Sequence, residues 1–573
     1  MGDPRISLLE EQARRGLITR RDMLATGLKL GLATPVITAL MALAPTEGIA
    51  APKPSGRQMI LRRQEGGNTF TYLRDGGWPD MDPHSAYDNA AAALIWQIYD
   101  MLIQYKGSAT DEYDPMLAQS WEASADNSTF TFALHPSVTF HDGDPCTAQN
   151  VKSAFERCLL MGRGPVNVIA RFAPDPAMIE VVDDLTVRFN LGTPQPLFLA
   201  AMASSYGPFV VNTRYVEENK TDEDPWAYEW FRENSIGTGP YQLAEYIQSE
   251  HAVLQKYDGY YLGWEGEHFD EIVCRVVPEI GTRRSLIETG TVDATSQNLT
   301  PDDVDALRSN PDLQIVTFDS TAVFWTIMNV PRLKTVEARK GFCYAFPYDD
   351  VVNSAYKGLI KRSGPVASTV IGSDPNIFLY QTDLAKAKEL ILAGGFSEGD
   401  TFDYIFESGD AVESTIAQLF QANVQEMGFN LDVQAMDRAA RVEFIYGDSP
   451  AEERPMFIGG HSWWPDYNDA WNQLVPSFVE ASIGGGRSNG GYYVNPRVEE
   501  LMKEVEHFTD VNVMIEQVKE IQNILTEQDP PAIFYGQLLW YVIMRNDIQG
   551  FYGNSLYLNQ YPFYKMFRSA PTQ

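Results

Sequence analysis

The chain has 573 residues, of which 44% are hydrophobic, 12% aromatic and 21% charged; this composition is typical of globular proteins and excludes disordered and fibrous classes. Asp and Glu (77) outnumber Lys and Arg (44), and the formal net charge of −33 makes nucleic acid and anionic membrane surfaces poor partners. A single hydrophobic core rarely extends past roughly 250–300 residues, so two or more lobes are expected.

The first fifty residues have the layout of an export signal. The pair Arg20-Arg21 precedes an apolar stretch over 25–44, and Gly48 and Ala50 are small residues placed just before a potential cut. This pattern predicts that residues 1–50 are a twin-arginine-type signal peptide. The mature chain is then expected in the periplasm or another extracytoplasmic compartment.

The alternative for this segment is an uncleaved anchor helix. Lys29 and Pro35 argue against it, because they interrupt a span of about 20 residues. No cysteine stands at the end of the apolar stretch, so a lipid-anchoring residue is missing. No later stretch reaches about 18 uncharged apolar residues, so no further membrane-spanning helix is expected.

Downstream of the signal, hydrophobic periodicity predicts a succession of strands and helices. Strands are expected at 57–73, 130–134, 178–190, 238–256, 313–330, 430–435, 456–458 and 535–544. Helices are expected at 90–102, 147–160 (with Thr147 as N-cap), 283–289, 336–346, 384–393, 412–426, 496–508 and 511–528. These elements indicate an α/β protein with mixed sheets covered by helices.

The four cysteines do not form a recognisable framework. Cys146 and Cys158 lie at opposite ends of one expected helix, about 18 Å apart at ~1.5 Å per residue, which is too far for a disulfide. Cys274 and Cys343 stand alone, and no C-x-x-C motif occurs. Buried free thiols are therefore expected.

A series of short blocks runs in order along most of the chain. They are Met81-Asp82-Pro83, Ile98-Tyr99-Asp100-Met101-Leu102, 115–122, 130–134, 138–145, Gly237-Thr238-Gly239-Pro240-Tyr241, 284–293, 338–342, 385–390, Trp463-Trp464-Pro465-Asp466-Tyr467 and 493–498. As a set they resemble family 5 of the extracellular solute-binding proteins, the class of peptide, nickel and oligopeptide carriers.

The resemblance implies a periplasmic binding protein-like class II (cluster C) fold, an α/β bilobal clamp with mixed sheets and an extra domain, closing by hinge rotation around its ligand. The implied domains are a first segment of lobe I at 51–88, the extra domain at 89–214, a second segment of lobe I at 215–315, lobe II at 316–534 and a C-terminal segment of lobe I at 535–573. Gly237 and Gly239 would allow a sharp turn with positive φ between lobes.

The function implied is that of an exported, monomeric substrate-binding protein without cofactor. It would capture a peptide or peptide-like solute between its lobes and deliver it to the permease subunits of an ABC transporter. A different cargo (an oligosaccharide, an opine-like compound or a nickel chelate), a sensory ligand-binding subunit and an exported hydrolase are the alternatives.

The candidate ligand site centres on Asp466. In peptide-binding members of the family, the aspartate of a W-x-x-D motif pairs with the ligand's amino terminus, and Trp463 and Asp466 match that motif. Trp464 and Tyr467 would add flat apolar walls. The alternatives are an arginine of the protein as partner for Asp466, and packing of Trp464 and Tyr467 at a domain interface.

Two further segments are weaker candidates for ligand contact. Tyr87 and Asn89 match positions that approach the ligand in some members of the family, and Trp325 stands on a strand leading into lobe II. No basic residue stands out as partner for a ligand carboxylate.

Catalytic and metal motifs give little support to an enzyme. Residues 486–490 fit G-x-S-x-G but lack the preceding strand and following helix of a nucleophile elbow. The seven histidines are not spaced as a zinc motif, although His84 and His461 could contact a metal chelate. We therefore expect no catalytic residues and no resident metal.

Overall fold

The computed structural model describes residues 68–295 and 299–569. The signal peptide expected at 1–50 lies outside these residues, as does most of the first strand region expected at 57–73.

Helices are distributed along the whole described chain. They are α1 (Asn89–Ile98), α2 (Ala148–Met161), α3 (Val166–Ile169), α4 (Phe198–Met202), α5 (Thr213–Asn219), α6 (Tyr228–Phe231), α7 (Ile280–Glu288), α8 (Pro301–Leu307), α9 (Val336–Ala345), α10 (Tyr348–Asp350), α11 (Leu384–Ala393), α12 (Ala411–Glu426), α13 (Arg438–Tyr446), α14 (Ala470–Phe478), α15 (Pro496–Glu506) and α16 (Val511–Asn523). Single π-helical turns follow α10 and α16 at Val351–Ala355 and Ile524–Gln528.

Strands alternate with these helices. They are β1 (Thr69–Arg74), β2 (Ile103–Tyr105), β3 (Tyr113–Pro115), β4 (Ala118–Ala123), β5 (Thr129–Leu134), β6 (Ile179–Asp183), β7 (Thr186–Asn190), β8 (Tyr241–Ile247), β9 (His251–Lys256), β10 (Glu271–Val276), β11 (Ala294–Thr295), β12 (Leu313–Met328), β13 (Ile360–Lys361), β14 (Thr401–Glu407), β15 (Asn430–Met436), β16 (Phe457–Trp463), β17 (Ala532–Arg545), β18 (Ile548–Gln549) and β19 (Phe567–Arg568).

Within the described residues, eleven of the strands join one mixed sheet in the order β15-β14-β16-β12-β17-β11-β1-β10-β9-β8, with β13 paired to β17. A separate four-stranded antiparallel sheet, β4-β5-β7-β6, lies in the part of the chain expected to form the extra domain. The expected α/β class with mixed sheets is confirmed.

The two longest strands, β12 and β17, connect the halves of the large sheet. The first half of β12 pairs with β17 from Leu313↔Arg545 to Asp319↔Leu539, next to β11, whereas the second half pairs with both β17 and β16. The register shifts between Asp319 and Val323. Such an irregularity interrupts the ladder and locally weakens the pairing of the two strands. The domain boundaries at 315/316 and 534/535 fall inside these strands and stay a prediction.

Most of the expected helices lie within a few residues of their predicted ends. The one at 384–393 is observed as predicted, and Thr147 caps α2 in a capping box with Asn150. The helix expected at 90–102 ends at Ile98, because Tyr99 adopts an extended conformation with φ −119° and ψ 146°. The apolar residues that follow Ile98 are buried in non-helical backbone. Their spacing happens to match that of a helix, and periodicity alone cannot tell the two cases apart.

The predicted role of Gly237 and Gly239 is wrong. Neither has a positive φ. A Cβ on Gly237 would overlap the carbonyl oxygen of Ile98, and one on Gly239 would come within 2.6 Å of the carbonyl oxygen of Gln97. Both positions need glycine because the backbone passes close to the end of α1, with Gly239 N donating to Ile98 O at 2.9 Å.

All four cysteines are buried and free, as expected. Among the described residues, no helix combines the length and hydrophobicity required to cross a bilayer.

Candidate ligand-binding site

Asp466 lies on the loop between β16 and α14. Because β16 runs parallel to β14, this loop leaves the carboxyl end of a parallel strand. Open α/β sheets bind their ligands at that edge, where the loops diverge and backbone and side-chain polar groups are free to face a cleft.

The Asp466 carboxylate is buried (7% exposed) and held by two hydrogen bonds. The Tyr87 hydroxyl donates to Oδ1 at 2.7 Å, and Asn472 Nδ2 donates to Oδ2 at 3.3 Å. The backbone of Asp466 is fixed as well, since its N–H donates to Asn472 Oδ1 at 2.7 Å and its carbonyl accepts from Ser204 Oγ at 2.7 Å. The carboxylate is therefore rigidly placed before any ligand arrives.

No Lys, Arg or His among the described residues forms an ion pair with Asp466. Burial raises its pKa to about 6, and the hydrogen bonds from Tyr87 and Asn472 oppose the rise. A buried carboxylate without a counter-ion is costly in its ionised form, and a cation delivered by a ligand would remove that cost. The described residues therefore do not support the alternative interpretation, in which an arginine of the protein pairs with Asp466.

Asp469, three residues further on, has such a partner. It is fully buried and forms an ion pair with Arg171, whose Nη2 also donates to Glu506 O at 2.9 Å. Tyr467 belongs to the same group, because its buried hydroxyl accepts from Arg171 Nη1 at 3.2 Å. Tyr467 thus joins the loop to the segment carrying Arg171.

Tyr87, Tyr206 and Asn89 form a linked group next to the Asp466 carboxylate, which Tyr87 contacts directly. The rings of Tyr87 and Tyr206 are 4.7 Å apart between centroids, and the Tyr206 hydroxyl donates to Asn89 Oδ1 at 2.8 Å. Burial raises the pKa of Tyr206, and a hydrogen bond with Trp464 opposes the rise. Tyr87 is 38% exposed, so the residue that contacts the carboxylate also faces solvent.

The remaining predicted aromatic residues divide into two groups. Trp463 and Trp464 are both half-buried, and Trp463 Nε1 donates to the carbonyl of Asn472, the residue that also holds Asp466. Trp325 is buried in a different ring cluster, with its centroid 4.8 Å from that of His461 and 5.6 Å from that of Phe478. The structure therefore brings Tyr87, Asn89, Trp463 and Trp464 around Asp466, but not Trp325.

Four further residues of this site were not predicted from the sequence: Tyr206, Asn472, Ser204 and Arg171. Only Asn472 offered a signal, since it follows the W-x-x-D motif by six residues at the start of α14. The other three come from residues 171–206, more than 250 positions away, and nothing in their local sequence links them to the motif.

His84, one of the two histidines considered for a metal chelate, makes structural contacts. His84 Nε2 lies 2.8 Å from Phe209 O, and its Nδ1 is 3.1 Å from Arg157 Nη1, beside the buried Arg157–Asp82 ion pair. Burial lowers the pKa of His84 to about 4. Within 68–295 and 299–569, no three His, Cys, Asp or Glu side chains gather as a metal site would require.

The G-x-S-x-G segment is a loop, as predicted. Gly484, Gly485 and Gly486 all have positive φ, and the buried Ser488 hydroxyl lies 2.8 Å from Ser477 Oγ. It follows a 3-10 turn at Glu480–Ser482 rather than a strand, so it lacks the geometry of a nucleophile elbow.

Comparison with known proteins agrees with this architecture. The sequence profile of the family described as "Bacterial extracellular solute-binding proteins, family 5 Middle" matches residues 112–485. The probable D,D-dipeptide-binding periplasmic protein DdpA of Escherichia coli is 25% identical over 488 residues, covering 83% of this chain and 90% of its own. The glutathione-binding protein GsiB of Pectobacterium atrosepticum is 26% identical, covering 78% and 82%.

Among solved structures, the periplasmic binding protein DppA of Helicobacter pylori, in complex with the peptide STSA, superposes with a TM-score of 0.73. It is 22% identical and covers 88% of this chain and 98% of its own. The fold is therefore the class II bilobal clamp with an extra domain. The chain belongs to family 5 of the bacterial extracellular solute-binding proteins, a family of binding proteins rather than enzymes.

Proposed function

We propose that this protein captures a peptide or peptide-like solute bearing a positively charged amine, with the amine paired to Asp466, and delivers it to the permease of an ABC importer. Capture is the whole function: the ligand is enclosed between the lobes and released unchanged.

The observation that carries the proposal is the buried Asp466 carboxylate without a cationic partner among the described residues. Its raised pKa means that the free protein holds the ionised form at a cost, which a ligand ammonium would remove on binding. A charge-assisted hydrogen bond from an ammonium group to a preorganised carboxylate contributes about 1.5–3 kcal/mol.

The residues around Asp466 would provide the hydrogen bonds and apolar contacts that the ligand makes or displaces when it binds. Tyr87 is partly exposed, and its hydroxyl donates to Asp466 Oδ1. An incoming ammonium group would either donate to the same carboxylate alongside this hydroxyl or replace it. Trp463, Trp464 and the paired rings of Tyr87 and Tyr206 supply apolar surface for the atoms next to the amine. Asn89 would contribute indirectly, because it accepts a hydrogen bond from the Tyr206 hydroxyl and so orients that side chain.

The names of several relatives support a peptide-like cargo, while other neighbours of the same architecture were solved with a nickel–histidine complex or with mannopinic acid. DdpA is described as D,D-dipeptide-binding, GsiB as glutathione-binding, and H. pylori DppA was solved with the peptide STSA. These descriptions belong to those proteins, and they support a peptide-like ligand here because all three share this chain's architecture over most of its length.

The finer parts of the proposal concern export and movement. The arginine pair at 20–21 would direct the chain to the twin-arginine route, and the lobes would rotate about the register break between Asp319 and Val323. The protein would act as a monomer. Replacing Arg20-Arg21 by a pair of lysines should abolish export, which cell fractionation measures directly.

The deciding experiment is to purify the exported protein, release whatever is bound and determine its mass by native and denaturing mass spectrometry. An amine-bearing, peptide-like compound recovered intact is expected. Binding of a free peptide should then be compared with that of its N-acetylated form by calorimetry. A sugar or nickel chelate as cargo, equal affinity for the acetylated peptide, or cleavage of the ligand would each overturn the proposal.

A further inference from the structure

Gly164 lies on the loop between α2 and α3 and packs directly against Tyr87, the residue whose hydroxyl donates to Asp466. A Cβ at this glycine would lie 2.3 Å from Tyr87 Cβ and 2.7 Å from Tyr87 Cγ, whereas carbon atoms in contact are ordinarily about 3.5–4.0 Å apart. The three heavy atoms nearest to such a Cβ all belong to Tyr87. Gly164 does not have a positive φ, so the position requires glycine for this contact and not for its backbone conformation.

The backbone on either side of Tyr87 is fixed by hydrogen bonds. Before it, Ala86 N donates to Asp82 O at 2.8 Å. After it, the Asp88 side chain caps α1 and accepts from Ala90 N at 2.8 Å. Tyr87 is therefore not free to withdraw from the loop, and a methyl group added there would displace either the tyrosine side chain or the loop itself.

The loop that carries Gly164 is held by its neighbour Arg163. The guanidinium carbon of Arg163 lies 3.7 Å from the centre of the Tyr228 ring, and its Nη1 donates to Ser85 Oγ at 3.3 Å. The carbonyl of Gly164 also accepts from the backbone N–H of Asn167, in α3, at 3.1 Å. Both sides of the close contact are thus held in place, so the fit between them sets where the tyrosine hydroxyl lies.

We propose that the α2–α3 loop, through Gly164 and Arg163, positions Tyr87 so that its hydroxyl reaches the Asp466 carboxylate. Gly164 acts through Tyr87 and is therefore a positioning residue rather than a ligand contact. The hydroxyl stabilises the ionised carboxylate, which is the form that pairs with an ammonium group. The use of this arrangement in ligand capture rests on the proposed function, whereas the hydrogen bond itself exists without a ligand.

The groups that surround Asp466 keep their charge while it titrates. Burial raises the pKa of the tyrosines that interact with it, so these stay neutral below about pH 8. They are Tyr87, Tyr206 and Tyr467. Asp88 is engaged in capping α1, and Asp469 is paired with Arg171. The titration of Asp466 therefore reports on its own burial and hydrogen bonds.

The test measures the titration of Asp466 in the ligand-free mature protein by NMR of carboxyl-labelled aspartate, with Asp466→Asn assigning the resonance. Gly164→Ala should raise the pH midpoint by about half to one pH unit, because the hydrogen bond from Tyr87 is lost or lengthened. In a Tyr87→Phe background, adding Gly164→Ala should cause no further shift, because the hydroxyl is already absent. Gly281→Ala is the matched control, since it adds a methyl group at an exposed glycine of α7 with nothing within 4 Å, and it should titrate as the parent.

Arg163→Ala provides a second variant should Gly164→Ala fail to fold, because Arg163 is exposed and its loss should free the loop without disturbing the core. It should shift the midpoint in the same direction by a smaller amount, again only when the Tyr87 hydroxyl is present. A midpoint unchanged in the folded variants, a shift that persists with Tyr87→Phe, or a crystal structure of Gly164→Ala with the hydroxyl still 2.7 Å from Asp466 Oδ1 would overturn the inference. No ligand takes part in these measurements, so such results would leave the proposed function standing, and a sugar recovered as cargo would leave the role of Gly164 standing.

Discussion

Asp466 and Asp469 stand three residues apart on one loop, both buried, but only Asp469 has a cationic partner. Asp469 is paired with Arg171 and also accepts from the N–H of Trp471 at 2.9 Å, where it caps α14. Asp466 has only neutral donors, from Tyr87 and Asn472. Burial alone therefore does not indicate that a carboxylate belongs to a ligand site. The absence of a cationic partner for a buried carboxylate does.

The same distinction separates Asp82 from Asp100. Asp82 is fully buried and receives two hydrogen bonds from Arg157, at 2.7 Å and 2.5 Å, which neutralise it inside the fold. Asp100 is buried with the hydroxyls of Thr238, Tyr260 and Tyr261 beside it rather than a cation. Aspartates paired with arginine stabilise the structure, whereas Asp466, which has no cation among the described residues, is a place where a ligand could bring the missing charge.

The largest expected effect is on stability. Asp469→Asn should lower the free energy of unfolding by about 3–5 kcal/mol, because Arg171 is left charged and buried. Asp466→Asn should instead raise it at pH 7.5, by up to about 3 kcal/mol, because an unpaired buried charge is removed. Urea unfolding of the ligand-free proteins measures both. Equal destabilisation by the two substitutions would remove the distinction between these aspartates.

The second effect is on affinity. Asp466→Asn should weaken an amine-bearing ligand by about 1.5–3 kcal/mol, a factor of roughly ten to one hundred and fifty, through loss of the charge-assisted pair. Calorimetry on ligand-free protein measures it. The exposed Asp126 offers a control, since Asp126→Asn removes the same charge far from the loop. Unchanged affinity in Asp466→Asn would remove Asp466 from the site.

The third effect is a dependence on pH with opposite signs for binding and stability. The ligand pairs with the ionised carboxylate, so affinity should fall about tenfold between pH 7.5 and pH 5 as Asp466, with its pKa of about 6, takes up a proton. Because that pKa lies above its unfolded value, the same group stabilises the free protein as the pH falls through 6.

Other buried carboxyls also titrate in this range, since burial raises the pKa of Glu413 to about 7. The informative quantity is therefore the difference between the parent protein and Asp466→Asn at each pH. A pH profile of affinity that survives in Asp466→Asn would assign the dependence to another group.

The smallest effect concerns Tyr87. Tyr87→Phe should shift the pH midpoint of binding upward and cost about 0.5–1.5 kcal/mol of affinity at neutral pH, because the hydroxyl stabilises the ionised form of Asp466. Tyr206→Phe is the matched control, because it loses a hydrogen bond to Asn89 but none to the carboxylate. A shift of equal size in both variants would point to general loosening of the contacts around Asp466.

Much of the fold follows from local signals. The helix at 384–393 and the cap at Thr147 were predictable because periodicity and capping are properties of neighbouring residues. The end of α1 and the reason for glycine at 237 and 239 were not, because both depend on where a distant backbone segment passes. The W-x-x-D motif indicated Asp466, but its hydrogen bond to Tyr87 spans 379 positions of sequence.

By itself the sequence determined the α/β class, the family, the free cysteines and the aspartate at the centre of the candidate site, since each is written in composition, periodicity or a short motif. Only the tertiary structure decided which buried aspartates are neutralised and which are not, because Arg171 and Arg157 reach their partners across long stretches of chain. Charge pairing is a matter of distance in space, and one-dimensional spacing contains no information about it.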